Sequence, residues 1–182
     1  MVFQANSTTI RRLLRAVVIL LILTLNISCD QLSKSIVREK IGYNESIQLL
    51  DHYLTLTRVE NTGAFLSIGN TLRYPFNLIL LSIFPIIMLG GAFWYLMKKQ
   101  DLSNLMILGV CLIMGGGAGN IYDRIMHGSV TDFLHMDLLI FQTGIFNVAD
   151  ISIMTGIFLI FTEFYIRKNR VKPAQGIQKK SE

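Results

Sequence analysis

Charge is what this sequence has least of. Asp, Glu, Lys and Arg make up 16% of its 182 residues, against 52% hydrophobic ones. That is too little to give each helix of a soluble bundle a polar face. Cysteine is nearly absent, with Cys29 and Cys111 alone, and this excludes a disulfide framework. Histidine is sparse and scattered: His52, His127 and His135 make no HExxH or HxxxH pair that would place metal ligands on one helix face. The sequence has no Gly-x-Ser-x-Gly elbow for a serine nucleophile. No basic residues cluster with aromatics on one soluble surface, which makes a nucleic-acid footprint a poor reading. Internal repeats and low-complexity tracts are also missing.

What the chain does have is long apolar runs. Four of them, at about 13–29, 75–97, 102–119 and 146–166, approach or reach the roughly 17–25 residues a helix needs to cross a bilayer. The fold class expected is an all-α membrane protein with four transmembrane helices and one integral domain over 1–182. Segments 31–74 and 120–145 are then extracytoplasmic, on the outer side of the membrane with a small β element, and 169–182 forms a basic cytoplasmic tail. Of the 17 basic residues, 11 fall at the two chain ends and in the loop near residue 100. The positive-inside rule therefore puts both termini in the cytoplasm.

Within the first external segment, 52–61 alternates and is rich in Thr, Val, Leu and Tyr, which predicts a short strand. The stretch "LLIFQTGIF" in the second predicts a hairpin lying on the membrane surface. The segment "LTLNISCDQLSK" has a competing reading as a lipoprotein leader with Cys29 as its modified residue. Asn26, three positions before the Cys, fits that poorly, and three further apolar runs favour a resident helix.

The scarce acids are concentrated. Asp30, Asp123, Asp132 and Asp150 all fall at or just beyond the expected outer helix ends, where ionisable groups are functional candidates by default. Asp30 and Lys34 are spaced i, i+4, which suits an ion pair that supports a site. The glycines of "GGGAGNIYDR" permit close helix contact, but they leave Asn120, Asp123 and Arg124 unexplained. Asn120 and Arg124 share a face and can order a backbone or a carboxylate. Asn147 and Asp150, at i, i+3, suit either a helix cap or a site. Two facing carboxylates cannot both ionise. One then activates water while the other donates to a peptide carbonyl, which is aspartyl proteolysis without a cofactor or metal. A proton-coupled transporter, with acids near the bilayer midplane, and a non-catalytic membrane partner are the rivals.

Five blocks in order, "DQLSK", "ENTGAF", "GGGAGNIYDR", "GSVTDF" and "FNVAD", resemble the bacterial lipoprotein signal peptidases, also called signal peptidase type II. The resemblance runs from Asp30 to about Phe161. It implies an aspartyl endopeptidase of the bacterial inner membrane that cuts prolipoproteins before a diacylglyceryl-modified cysteine, with its active site at the outer leaflet. It implies Asp132 and Asp150 as the catalytic dyad. Asp30, Lys34, Asn61, Gly63, Asn120, Arg124, Asn147 and Ala149 become supporting or substrate-binding positions, and Asp123, constant in its block, ranks below Asp132 for the dyad. Membrane lipids and the cyclic peptide globomycin are implied as ligands, and a monomer is expected. Between Gly63 and Phe65 the family usually has a small-residue pair, where this chain has only Ala64.

Overall fold

The chain opens with one helix, α1 (Ser7–Lys40), of 34 residues. At 1.5 Å per residue it is about 50 Å long, well beyond the roughly 30 Å of a hydrocarbon core. The expected span 13–29 is therefore only its apolar middle, and the first part of the expected external segment 31–74 is helical. Hydropathy falls at Asp30, but the helix does not end there. Asn26, Asp30, Lys34 and Val37 recur at helical spacing and are buried on its inward face. The computed structural model describes residues 7–43, 45–50, 53–63, 75–138 and 140–171. His52, Ala64, Phe65 and the tail from residue 172 lie outside them.

After α1 come β1 (Ser46–Leu49) and β2 (Leu54–Asn61), the second matching the strand expected at 52–61. The next helix is composite. A short α2 (Phe76–Leu78) passes through a π-helical turn (Ile79–Ile83) into α3 (Phe84–Lys98). Pro85 offers a reason for the wide turn. It has no N–H for the Leu81 carbonyl and its ring would crowd that oxygen, and the Phe84 N–H reaches back to the Ile79 carbonyl instead.

Helix α4 (Asn104–His127) starts on Ser103, whose hydroxyl accepts from the Met106 N–H at 3.1 Å. It ends on Gly128, which sits in the left-handed region at φ 77. A side chain is strained there, and glycine is not. Gly128 lets the chain turn straight into β3 (Val130–Met136), which the sequence did not suggest. Helix α5 (Val148–Val171) completes the fold.

The three strands form an antiparallel sheet in the order β1-β2-β3. Beyond β3 the chain folds back, with Asp137 bridged to Gln142 and the Leu138 N–H donating to the Phe141 carbonyl at 2.9 Å. Leu138, Ile140 and Phe141 are exposed there.

Two apolar cores organise these parts. One, around Ile19, Leu96, Ile107, Cys111 and Met114, joins α1, α3 and α4. The other packs Val37, Ile41 and Phe133 against Leu56, Leu134 and Val148, fastening the far end of α1 to the sheet. The helices α1, α4 and α5, and the composite helix from Ile79 to Lys98, are long and apolar enough to cross a membrane. At most 39% of any apolar window is buried inside the protein, so their outer faces suit lipid rather than water.

Candidate active site

Asp132 lies on β3, opposite Val59 of β2, while Asn61 lies opposite Val130. Asn61 and Asp132 are therefore diagonal neighbours on one sheet face, and the Asn61 Nδ2 donates to Asp132 Oδ2 at 2.9 Å. Two residues further along β3, Leu134 bridges to Phe146. That bridge carries Asn147 and the first turn of α5 alongside Asp132. Asn147 Nδ2 donates to Asp132 Oδ1 at 2.6 Å, and the Asn147 backbone N–H donates to Asp150 Oδ2 at 3.2 Å. One residue thus links the two acids.

Three asparagine amides surround the acids, and each has its orientation set by a donor that cannot be reversed. Asn61 Oδ1 accepts from the Gly63 N–H at 2.9 Å. Asn147 Oδ1 accepts from the Asp150 N–H at 3.0 Å. Asn120 Oδ1 accepts from the Lys34 ammonium at 2.8 Å. With their oxygens occupied, all three amides turn their N–H groups toward carboxylates, and Asn120 Nδ2 reaches Asp150 Oδ1 at 3.0 Å.

Behind this layer sits a buried ionic one. Lys34, fully buried, places its ammonium 2.8 Å from Asp30 Oδ2 and 2.9 Å from Asp123 Oδ2. Asp30 also accepts the Ala149 N–H at 3.0 Å, which ties α1 to the first turn of α5. Asp123 is completed by Arg38 at 2.9 Å. It is committed to cations and bonds neither Asp132 nor Asp150. Arg124 donates to the Gly63 carbonyl at 2.7 Å and the Asn120 carbonyl at 3.3 Å. All eleven residues expected at the site, Asp30, Lys34, Asn61, Gly63, Asn120, Asp123, Arg124, Asp132, Asn147, Ala149 and Asp150, fall in one hydrogen-bonded network.

Four further members were not singled out from the sequence. Gln31 bridges Asp30 and Asp123 at 3.1 and 3.2 Å. Arg38 Nε donates to Thr131 Oγ1 at 2.8 Å, and Thr131 donates to Glu60 at 3.1 Å on the sheet face opposite Asp132. For Arg38 a signal existed: Asp30, Lys34 and Arg38 recur every fourth residue. Glu60 and Thr131 carried no signal beyond adjacency to Asn61 and Asp132.

The two acids differ in surroundings. Asp132 is 4% exposed. Burial pushes its carboxyl up to about 6, the neighbouring Asp150 carboxylate adds to this, and the Asn61 and Asn147 amides and Lys34 oppose it. Asp150 is only partly buried. It lines a groove of about 380 Å³ with Asn120 and Arg124 at the polar end and Leu80, Leu81, Ile153, Met154 and Ile157 along the walls. The π-turn of the second membrane helix forms one wall, and such turns recur at functional sites.

Comparison with known proteins places this arrangement. A family model described as signal peptidase (SPase) II matches residues 19–166. The lipoprotein signal peptidase of Streptococcus pneumoniae (strain ATCC BAA-255 / R6) is 36% identical over 146 residues, 80% of this chain and 90% of that protein. The lipoprotein signal peptidase of Bacillus subtilis (strain 168) is 29% identical over 155 residues, 85% of this chain and 97% of that one. A solved structure described as a bacterial membrane enzyme aligns with a TM-score of 0.76 at 26% identity, over 86% of this chain and 92% of that chain. The match spans all four long helices and the sheet between them, and the chain belongs to the signal peptidase II family.

Proposed function

We propose that this protein removes signal peptides from prolipoproteins by aspartyl proteolysis, cutting before a diacylglyceryl-modified cysteine, with Asp132 and Asp150 as the dyad. The observation that carries the reading is the set of three amides whose N–H groups are all directed at these two carboxylates. They hold both acids in place without neutralising either.

Charge balance supports a single shared proton. The network contains the carboxylates of Asp30, Glu60, Asp123, Asp132 and Asp150 and the cations of Lys34, Arg38, Arg124 and Arg58, the last paired with Glu60. One proton on the dyad makes this mostly buried cluster neutral, which a low-dielectric site favours. Asp132, the more enclosed of the two, is the group to which this reading gives the proton. Asp150, open to the groove, takes a proton from water as the water oxygen attacks the scissile carbonyl. Asp132 gives its proton to the carbonyl oxygen. The tetrahedral diol then collapses, and the proton on Asp150 passes to the leaving nitrogen. Asp132 recovers its own proton from the diol hydroxyl.

The apolar groove accounts for lipid on the substrate. Its walls suit acyl chains and its polar end is Asp150, so a lipid-bearing cysteine entering sideways from the bilayer meets the dyad directly. Asn61 and Arg124 border the site and are placed to hold the extended peptide. Among the described residues, Arg11, Arg12 and Arg15 of α1, Lys98 and Lys99 after α3, and Arg167 and Lys168 of α5 lie at the opposite end of the helices. This supports cytoplasmic termini, with the site at the outer face of the bacterial inner membrane. The site is complete in one chain, so a monomer suffices, and globomycin is the inhibitor expected.

The test is cleavage of a lipid-modified precursor by purified protein. Asp132→Asn and Asp150→Asn should each lose on the order of 10³-fold or more in rate, with membrane insertion and thermal unfolding unchanged. Normal cleavage by either variant overturns the assignment.

A further inference from the structure

At the other end of the bundle, Arg15 of α1 stands about 22 Å along the helix from Asp30. Its Nη2 donates to the Leu96 carbonyl at 3.0 Å, on the last turn of α3. Its Nε and Nη1 are buried with no hydrogen-bond partner among the described residues. A buried N–H without an acceptor is costly, and two on one cation call for an anion.

Arg15 lines two cavities. One, of about 280 Å³, is basic: Arg12, Lys98 and Gln100 line it together with Arg15. The other, of about 470 Å³, runs down between α1 and α4 past Val18, Ile22 and Leu108, with Asn104 at its polar end. Arg15 and Gln100 line both. Among the described residues no acid lines either cavity. Asp101 is exposed and lines neither cavity, and Glu163 pairs with Arg167. Lys98 and Lys99 stack over Trp94 and Tyr95 at 4.7 and 5.8 Å. Aromatic and basic residues together mark the headgroup level of a bilayer.

We propose that this cleft binds one anionic phospholipid, its phosphate on Arg15 between Arg12 and Lys98, and an acyl chain along Val18, Ile22 and Leu108. A phosphate seated there would draw the Arg15 guanidinium round so that its two unpartnered N–H groups donate to it in charge-assisted bonds, and Arg15 and Gln100, which line both cavities, join the basic one to the apolar one. A soluble phosphate would use only the basic half.

Native mass spectrometry of the full-length protein, exchanged from detergent into phosphatidylglycerol, phosphatidylcholine or inorganic phosphate, reads the site directly. One phosphatidylglycerol should be retained at least tenfold more strongly than phosphatidylcholine, and phosphate alone should not be retained. Arg15→Gln should abolish the preference. Because Arg15 also holds Leu96, the double variant Arg12→Gln/Lys98→Gln gives a second measure that leaves that bond intact. It should weaken retention roughly fivefold for each charge removed, with cleavage of precursor unchanged. Equal retention of the two lipids, retention of phosphate alone, or no effect of the double variant overturns the proposal.

Discussion

Asn147 does two jobs with one side chain. Its oxygen caps α5 by accepting from the Asp150 N–H, and the Asp150 carboxylate accepts the Asn147 N–H in return, a reciprocal cap. The cap and the site, alternatives in the sequence, are the same contacts in the structure. Asn147→Ala should therefore cost about 1 kcal/mol in thermal unfolding and slow cleavage as well. Its effect on pH is signed. The Asn147 bond holds the Asp132 pKa down, so losing it moves that pKa above about 6. The protonated form then persists to higher pH, and the alkaline limb of kcat/KM for the coupled pair should shift upward. A limb that stays in place or moves down would contradict the assignment of the proton to Asp132. Lys34 presents a different case. Lys34→Met leaves Asp30 and Asp123, both fully buried, without their shared ammonium, at a cost of about 3–5 kcal/mol. If charge is the cause, Lys34→Met/Asp123→Asn should recover part of the lost thermal stability.

At the scale of elements, glycines set how closely α4 approaches its neighbours. A methyl built on Gly116 would collide with the Ala149 carbonyl of α5, and one on Gly119 with the Asp30 carboxylate of α1. Neither obstacle is free to move, since Asp30 is held by Lys34 and by the Ala149 N–H. Gly119→Ala should cost about 1–3 kcal/mol and should reduce cleavage by displacing the Asp30–Ala149 tie. Gly91 on α3 meets nothing within 4 Å. Gly91→Ala should be neutral or slightly stabilising, as expected from helix propensity alone. Thermal unfolding of both purified variants, with cleavage assayed alongside, separates close packing from propensity. The four-residue spacing of Asp30, Lys34 and Arg38 shows why α1 outruns its apolar stretch. Their charges are neutralised inside the protein, so the helix stays buried where hydropathy alone would end it.

For the whole molecule, the asymmetry of basic residues makes the orientation testable. On a background without Cys29 and Cys111, a cysteine at Glu39, 72% exposed at the end of α1, should react with an impermeant maleimide added to intact spheroplasts. A cysteine at Lys99, beyond the last turn of α3, should react only after the membrane is opened. The reverse pattern would put the site on the cytoplasmic face. The four long helices could be read from the sequence because hydropathy is a property of neighbouring residues, and the strand at β2 because alternation is too. Strands β1 and β3 and the contacts of Arg38, Glu60 and Thr131 could not be read this way. Strand β3 and the three side chains depend on partners tens of residues away, which no local period records, and β1, whose partners on β2 are 5 to 11 residues away, is too short for alternation to mark it.

The sequence by itself determined four bilayer-length apolar segments and a handful of acids and amides crowded toward one end. Both follow from composition and spacing along the chain. Which acids face each other was decided only in three dimensions. The register of β2 on β3 and the Leu134–Phe146 bridge bring Asp132 to Asp150, while Lys34 and Arg38 claim Asp30 and Asp123. Four carboxylates of one residue type become two pairs of different character because burial and the nearest cation, not the residue itself, set what each can do.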